Sequence, residues 1–495
     1  MTTIFDASRP GRVNAQHAPE AQAITTLENQ FLRASPPPLP QVSELQVVRH
    51  FTRLSQRNFS VDTHFYPLGS CTMKYNPRVC HTLASLSGFL DRHPLASEES
   101  GQGVLRTLHE LQEMLKEISG MRAVSLVPMA GAQGEFAGVA MIRAYHLARG
   151  DHQRTEMLIP DAAHGTNPAT AAICGLTVRE IPTNAHGDVD LDALRAAAGP
   201  HTAGLMLTNP STLGVFERQI LQMARIVHDA GGLLYYDGAN LNAVAGRVRP
   251  GDMGFDAVHF NVHKTFATPH GGGGPGAGPV GVGERLEPFL PVPVVGRRLL
   301  DNGGEWFFQM TQQELPDSIG PMAAFAGNVG VLLRAHVYLR MIGAEGLSRI
   351  ADFATLNANY LMARLAAAGF TVAFPERRAT HEFLLSMQFE AKNFGVTALD
   401  FAKRLLDYNC YAPTIYFPAL IPESMLIEPT ETESKETLDH FVEAMIAIRQ
   451  EAQNDPHRVR TAPHAVPVPG KGPGRLDATR AARKPDLIWK ENTVS

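Results

Sequence analysis

Apolar residues recur at helical spacing between residues 102 and 120, and the chain then changes to short apolar runs. The four leucines of the first segment lie on one face, which predicts a helix that ends at Gly120. The runs that follow alternate with further helical patterns, such as residues 218–232. The strand candidates are residues 123–127, 157–160, 176–182, 204–208 and 232–237. Strands that alternate with helices indicate an α/β domain with a mainly parallel sheet.

The pattern changes on either side of this domain. Residues 1–75 show no periodicity and predict an irregular arm, with a loop at 67–77. Beyond about residue 316, long helical patterns, short apolar runs and an amphipathic helix at 435–453 predict a smaller α+β domain. The expected organisation is an N-terminal arm at 1–75, a large domain at 76–335, a small domain at 336–455 and a Pro/Gly-rich tail at 456–495.

The composition argues against several classes of protein. No window holds about 18 uninterrupted apolar residues, so no membrane span is expected. A net charge of −5 gives no reason to expect nucleic acid as a partner. Four scattered cysteines without a C-x-x-C pair indicate neither a metal site nor a disulfide framework. The N-terminus has no apolar signal-peptide core, and the expected location is the reducing cytoplasm.

One lysine, Lys264, precedes a glycine run in the segment FNVHKTFATPHGGGGPG, residues 260–276. A solvated surface lysine is the ordinary interpretation. A nucleotide phosphate loop would place the lysine after the glycines, in the pattern G-x-x-x-x-G-K-[ST], and no such match occurs. Asp237 ends one strand candidate and Lys264 follows another, at 255–262. In a parallel sheet both would face the crevice beyond the strand ends, where ligands bind.

Two further segments add to this pair. Residues 127–138 predict a strand, a small-residue turn and a helix start whose N–H groups suit a phosphate. His164 follows another strand candidate and offers a flat ring. Singly, Asp237 could be a helix cap, His164 a loop histidine and the turn an ordinary one. Together, an amine, a carboxylate, a ring and a phosphate cradle are what pyridoxal phosphate (PLP) requires.

The chain resembles the P-protein family of the glycine cleavage system, the PLP-dependent glycine dehydrogenases (decarboxylating). It is similar to the C-terminal half, which many bacteria make as a separate subunit 2. The matching stretches include PLGSCTMKYNP (67–77), AGAQGE (130–135), AHGTNPA (163–169), DGANLNA (237–243), HKTFATPHGGGGPG (263–276), HEF (381–383) and IEPTETESKETLD (427–439). The resemblance implies the PLP-dependent transferase-like fold type I (aspartate aminotransferase-like), an α/β fold with a smaller α+β C-terminal domain.

The resemblance also implies roles for individual residues. Lys264 is expected to be the Schiff-base lysine, Asp237 the partner of the pyridine nitrogen and His164 the ring-stacking group. The remaining expected cofactor contacts are Ala132 and Gln133 at the phosphate, and Thr208, Asn240 and His263 in the pocket wall. For Cys71, in the loop at 68–74, burial explains the residue as well as any chemical role does.

The implied reaction is glycine decarboxylation with release of CO₂ and transfer of the aminomethyl group to the lipoyl cofactor of H-protein. The lipoyl disulfide is the oxidant, and the chain has no strand–GxGxxG–helix fingerprint for NAD. One-piece P-proteins carry an additional N-terminal half without the lysine. A separate glycine dehydrogenase subunit 1 and an α₂β₂ assembly are therefore expected. Gly271–Gly274 and the 68–74 loop are candidate walls of a channel for the lipoyl arm.

Two other interpretations stay open at this stage. Another PLP enzyme of the same fold, such as an amino-acid decarboxylase or a cysteine desulfurase, would use Lys264 and Asp237 in the same way. A non-catalytic scaffold subunit is the second, and the intact set of Lys264, Asp237 and His164 argues against it. The sequence does not indicate which residue binds the glycine carboxylate.

Overall fold

The computed structural model describes residues 3–12, 28–35, 37–269, 276–299 and 305–465. The chain separates into two compact units, one of which is Phe65–Arg460 and the other of which comprises the two terminal segments. Gly271–Gly274 and the tail beyond residue 465 lie outside the described residues. The interpretations of the glycine run and the tail therefore stay predictions.

The terminal unit contains a helix that the sequence pattern did not predict. Helix α1 is Glu44–Ser55. It begins with a capping box, in which the Ser43 side chain accepts from the Gln46 N–H and the Gln46 side chain accepts from the Ser43 N–H. The prediction of irregular chain throughout residues 1–75 is wrong here. Its start is marked by the cap, and Leu45, Val48, Phe51 and Leu54 recur at helical spacing, so the sequence did contain the signal.

A seven-stranded sheet forms the centre of the larger unit. Its strands are β1 Ala123–Ser125, β2 Glu156–Pro160, β3 Thr177–Ile181, β4 Thr202–Thr208, β5 Leu233–Asp237, β6 Ala257–His259 and β7 Val280–Val282. Their order is β1-β7-β6-β5-β4-β2-β3. The pairs from β3 through β2, β4 and β5 to β6 are parallel, and β7 runs antiparallel to both of its neighbours. The predicted mainly parallel α/β sheet is confirmed.

Helices precede the sheet and connect its strands. They are α2 Arg78–Ala84, α3 Ser87–Leu90, α4 Glu98–Ser119, α5 Gly131–Ala148, α6 Thr166–Ile173, α7 Leu191–Ala197, α8 Ile220–Asp229 and α9 Val262–Thr265. The four leucines of α4 are buried, as their spacing predicts. Gly120 adopts a left-handed conformation (φ +68°) at the end of α4, which is the usual way for glycine to end a helix.

A hairpin and a long bent helix follow the sheet. The hairpin strands are β8 Val294–Leu299 and β9 Glu305–Met310, and the helix is α10 Val329–Ala367. The helix is interrupted at Gly343, where φ is +64° and ψ is −173°. The sequence predicts two long helical patterns, at 321–343 and 347–369, and the structure joins them into one helix that bends at Gly343. Among the described residues, no helix has the length and apolar character needed to cross a membrane.

A second, four-stranded antiparallel sheet with the order β10-β11-β13-β12 completes the unit. Its strands are β10 Thr371–Val372, β11 Phe383–Ser386, β12 Thr414–Ile415 and β13 Ser424–Ile427. Its helices are α11 Gln388–Phe394, α12 Ala398–Leu405, α13 Lys435–Asn454 and α14 Pro456–Arg460. Short 3₁₀ helices lie at Asn29–Phe31, Gly238–Ala243, Pro250–Met253, Glu287–Phe289 and Leu406–Tyr408. The domain boundaries near residues 75, 335 and 455 stay a prediction.

Two leucines on α10 allow the packing of the second sheet to be tested. Leu361 is fully buried among the residues that pack on this sheet, whereas Leu356 on the same helix is 59% exposed. Leu361→Ala should lower the free energy of unfolding by about 2–5 kcal/mol, because it leaves a cavity. Leu356→Ala should change it by less than about 0.5 kcal/mol. Chemical unfolding followed by circular dichroism measures both, and equal losses would contradict the assigned packing.

Candidate active site

A cavity of about 630 Å³ lies where β4, β5 and β6 end. The parallel register makes Thr208 the partner of Asp237 at the ends of β4 and β5. His259 ends the next strand, and α9 follows it with Lys264. The lining also includes the start of α5, the Gly69–Cys71 segment, Thr414 of β12 and the nearby Phe417.

Lys264 is held by the backbone of a loop that is distant in sequence. Its Nζ donates to the carbonyl oxygen of Ser70 at 2.8 Å. Ser70 has a positive φ of 63°, which is uncommon for a residue other than glycine. The Ser70 N–H donates to Glu382 Oε2 at 2.6 Å, which holds the loop in this conformation. The loop at 68–74 therefore lies against the lysine, and its role as a wall of a lipoyl channel stays a prediction.

Asp237 is buried at the end of β5, and its carboxylate is positioned from two sides. Its Oδ1 accepts from the Ala239 N–H at 3.0 Å, so it does cap the short helix that follows. The same oxygen lies 3.6 Å from Nε2 of His259. A Cβ at Gly238 would lie 1.8 Å from the His259 carbonyl oxygen, so only glycine allows this approach of the backbones.

A second carboxyl group lies behind Asp237. Turned so that its nitrogen faces both acids, the Asn167 amide donates to Glu135 Oε1 at 2.5 Å and to Asp237 Oδ2 at 3.1 Å. Thr170 also bonds to Glu135 through its side chain. Burial, and then repulsion from Asp237, raises the pKa of Glu135 to about 9. Glu135 is therefore neutral near pH 7.

The other neighbours of Asp237 are neutral as well. Burial lowers the pKa of His259, whose ring is enclosed by protein. The ring is oriented by the Tyr235 hydroxyl at Nδ1 and by Asn261 Nδ2 at Nε2, the latter at 3.0 Å. Burial also raises the pKa of Tyr235 well above its ordinary value. Asp237 is thus surrounded by oriented dipoles, which leave its charge facing the cavity.

His164 lies at the cavity wall, after β2. Its Nδ1 accepts from the N–H and the hydroxyl of Thr166, at 3.2 and 2.9 Å, which fixes the ring. Its edge contacts Phe417, with ring centroids 5.7 Å apart. The residue is exposed and lines the cavity, while desolvation by the surrounding protein lowers the pKa of His164. A neutral ring held in this way presents a flat surface to the cavity.

The start of α5 presents backbone donors. Ala132 lines the cavity, and the N–H groups of Gly131 and Ala132 have no acceptor among the described residues. The Gln133 side chain does not line the cavity, since it accepts from the Met129 N–H at 2.6 Å and donates to the Met322 carbonyl at 2.7 Å. Gln133 therefore braces the turn from behind.

The remaining residues named from the sequence also line the cavity. Asn240 is fixed by donating from Nδ2 to the Pro210 carbonyl at 2.9 Å. The Thr208 hydroxyl is buried and has no hydrogen-bond partner within the part of the chain that the structure describes. His263 and Cys71 complete this group. The cavity thus brings together the sequence-named residues with the exception of the Gln133 side chain.

Sequence reasoning missed Glu135, Asn167, His259 and Phe417. Glu135 and Asn167 lie inside motifs that were noticed, AGAQGE and AHGTNPA, and a search for buried acids on helix starts would have found the first. His259 occupies a strand position that the pattern assigns to the core. Phe417 comes from the second sheet, and no local signal relates it to the cavity.

Comparison with known proteins identifies the family. Family models for "Glycine dehydrogenase, C-terminal domain" and "Aminotransferase class-V" match residues 350–464 and 130–274. A probable glycine dehydrogenase (decarboxylating) subunit 2 from Methylococcus capsulatus is 65% identical over 98% of both chains. A protein of the same name from Thioalkalivibrio sulfidiphilus is 63% identical over 98% of this chain and 97% of its own. This chain belongs to the glycine dehydrogenase (decarboxylating) subunit 2 family. The predicted family is confirmed.

Solved structures establish the fold of this family member. A glycine decarboxylase (P-protein) of the glycine cleavage system, in inhibitor-bound form, superposes with a TM-score of 0.71 at 22% identity. The match covers 85% of this chain and 93% of that one. A NifS-like protein gives a TM-score of 0.59 at 16% identity, over 78% and 99% of the two chains. The predicted fold type I is confirmed.

The protonated state of Glu135 makes stability depend on pH. As pH rises above the ordinary value of 4.5, the unfolded chain releases this proton first, while the folded chain keeps it up to about pH 9. Folding is therefore penalised progressively over that range. Glu135→Gln removes the penalty. The free energy of unfolding of the variant minus that of the wild type should therefore increase between about pH 5 and pH 8, by on the order of 1 kcal/mol or more.

Urea unfolding of the PLP-free chain at a series of pH values measures this difference. Glu98→Gln on α4 is the matched control, because Glu98 is exposed. A constant difference between Glu135→Gln and the wild type across the pH range would show that the folded chain does not hold the proton.

Proposed function

We propose that this chain is the PLP-binding subunit of a glycine dehydrogenase (decarboxylating), an aminomethyl-transferring oxidoreductase. It catalyses glycine decarboxylation, releases CO₂ and transfers the aminomethyl group to the lipoyl cofactor of H-protein. The observation that carries the proposal is the placement of Lys264 and Asp237 in one cavity, at the ends of adjacent strands, in a chain of this family.

The described residues fit PLP at each of its functional groups. Lys264 supplies the amine for the Schiff base, and the buried Asp237 carboxylate suits a protonated ring nitrogen. The unpaired N–H groups of Gly131 and Ala132, at the positive end of α5, suit a phosphate. The unpaired hydroxyl of Thr208 offers a further donor. Bound PLP would act as the electron sink for the electron pair that decarboxylation leaves behind.

Residues of the chain would position the groups that surround that cofactor. Asn167 and His259 fix the Asp237 carboxylate, and Gly238 lets it approach the strand end. His164 offers a face to the ring, and Asn240 and His263 bound the cavity wall. Gln133 has its N–H and its side chain engaged elsewhere, so we assign it the bracing of the phosphate turn.

The proposed partners are glycine, lipoylated H-protein and glycine dehydrogenase subunit 1, in an α₂β₂ assembly. The name subunit 2, carried by relatives that match nearly the whole chain, supports a separate subunit 1. The four free cysteines are compatible with a reducing cytoplasm, which is the proposed location. A different fold-type-I enzyme, such as a cysteine desulfurase, would share Lys264 and Asp237, but relatives at 62–65% identity carry the glycine dehydrogenase name.

Exchange of labelled CO₂ into the carboxyl group of glycine tests the proposal. The chain is mixed with subunit 1 and lipoylated H-protein, and each component is omitted in turn. Lys264→Ala should lower exchange by more than about a thousandfold, because the amine that forms the Schiff base is lost. Lys392→Ala removes an exposed lysine on α11 and serves as the control with unchanged exchange.

Each omission has a distinct consequence. Exchange that continues without subunit 1 would refute the split-subunit dependence and leave the chemistry intact. No exchange from a chain that shows the visible absorbance band of bound PLP would refute glycine as the substrate. In that case, amino acids would be screened for spectral shifts to find the substrate of a different PLP enzyme.

A further inference from the structure

Three buried titratable side chains lie together outside the cavity lining. They are His381, Glu382 and Glu428, each at most 1% exposed. One nitrogen or oxygen atom from each lies within 4.8 Å of the others. None of the three lines the cavity described above, and the proposed function gives them no role. Because burial of two acids side by side is costly, the cluster calls for an explanation.

A single loop connects this cluster to Lys264. Glu382 Oε2 accepts from the Ser70 N–H at 2.6 Å, and the Ser70 carbonyl accepts from Lys264 Nζ at 2.8 Å. Two residues further on, the Thr72 hydroxyl donates to Glu428 Oε1 at 2.5 Å. One residue, Ser70, therefore links the lysine to Glu382, and the same loop contacts both acids.

The two acids differ in the donors that they receive. Glu428 Oε1 accepts from the Thr72 hydroxyl and from Asn242 Nδ2, the latter at 3.3 Å, and both donors favour a carboxylate. Glu382, in contrast, accepts from one donor within the described residues, the N–H of Ser70. Burial raises the pKa of Glu428 to about 7 and that of Glu382 well above its ordinary value, with repulsion from Glu428 second for Glu382. Any proton in the pair therefore resides on Glu382.

A neutral histidine lies beside Glu382 in the cluster. His381 Nε2 lies 3.7 Å from Glu382 Oε1. These two atoms and Glu428 Oε2 have no hydrogen-bond partner elsewhere in the described chain. Burial lowers the pKa of His381 to about 3, so its ring is neutral. Glu382 Oε1 thus lies 3.7 Å from a neutral nitrogen, in a cluster that also contains the carboxyl group of Glu428.

We propose that Glu382 and Glu428 hold one proton between them, on Glu382, and that the charge left on Glu428 favours the positively charged form of the nitrogen at Lys264. Both acids are positioning residues, since they act through the Ser70–Thr72 loop and through charge. The inference deepens the proposed function, because in the PLP-loaded chain this nitrogen belongs to the Schiff base.

Other titratable groups lie around the same nitrogen. They are identical in the wild type and in both glutamine variants, so they do not account for a difference between the variants. Those on the cavity side are Cys71, Glu135, His164, Asp237, His259 and His263. Beside Glu428, Lys74 and Glu431 form an ion pair of 2.9 Å and add no net charge. Glutamate-to-glutamine changes within the cluster therefore isolate the charge of the two acids.

The same glutamate-to-glutamine substitution should have a large effect at one acid and a small effect at the other. Glutamine is the neutral isostere of a protonated glutamate, so Glu382→Gln should hardly change the electrostatics. Glu428→Gln removes the negative charge. In the PLP-loaded assembly, the pH midpoint of the visible Schiff-base absorbance change should fall by roughly one pH unit in Glu428→Gln and by less than a third of that in Glu382→Gln.

A second pair of measurements does not depend on a fully active assembly. Thr72→Val removes a donor to the Glu428 carboxylate and should lower the same midpoint by a smaller amount. Infrared spectra of the PLP-free chain should contain the C=O stretches of two buried protonated carboxyl groups, those of Glu135 and Glu382. Glu382→Gln should remove one of them and Glu135→Gln the other, whereas Glu98→Gln, at an exposed position on α4, should leave both in place.

The outcomes separate this inference from the proposed function. Equal midpoint shifts in the two glutamine variants, or none in Glu428→Gln, would overturn the assignment of the charge. A shift that requires added Mn²⁺ or Zn²⁺, and disappears with chelator, would overturn it in favour of a metal site on the same three residues. A wild-type chain without a PLP band would refute the proposed function, while the infrared band would still decide where the proton lies.

Discussion

The parallel pairing of β4, β5 and β6 is the constraint on which the site depends. Parallel strands end at the same edge of a sheet, so the chain places Thr208, Asp237 and His259 side by side without any contact between their side chains being required first. The side chains then need only local adjustment. Gly238 lets the backbones after β5 and β6 approach, and α9 turns Lys264 back over the same edge. The geometry of the cavity is therefore set by backbone hydrogen bonds, which are the least variable part of a fold.

The electrostatics of the site follow one rule on both sides of Lys264. Wherever two acids are buried close together, one is neutral, because two anions in a dry site repel strongly. On the cavity side, Glu135 is the neutral member beside Asp237. On the far side, Glu382 and Glu428 repeat the arrangement. At both places the fold thus pairs a buried negative charge with a neutral acid and with oriented donors.

Local signals were sufficient for much of this structure and insufficient for the rest. The leucine spacing of α4 and its Gly120 stop are short-range features, and so is the alternation that predicted the large sheet. Lys264 and Asp237 could be found because Asp237 ends one strand and Lys264 comes shortly after the next. Glu382 and Glu428 could not be related to Lys264 in this way, since residue 70 reaches Glu382 across more than three hundred positions. β12 and β13, with two and four residues, are too short to show a period. Gln133 lies in the right turn, but its side-chain direction depends on Met322, far along the chain.

The segment Gly69–Thr72 has a mechanical consequence for the lysine. A Cβ at Gly69 would lie 2.5 Å from the Leu426 carbonyl oxygen, so the segment rests directly on β13 without slack. The Thr414 hydroxyl donates to the Gly69 carbonyl at 2.6 Å, and Glu382 and Glu428 grip the next residues. The segment is thus fixed on the four-stranded sheet at one side and contacts the Lys264 amine at the other. If that sheet moved, the Ser70 carbonyl would move with it. The position of the Lys264 amine would therefore depend on a sheet that the lysine contacts only through this segment.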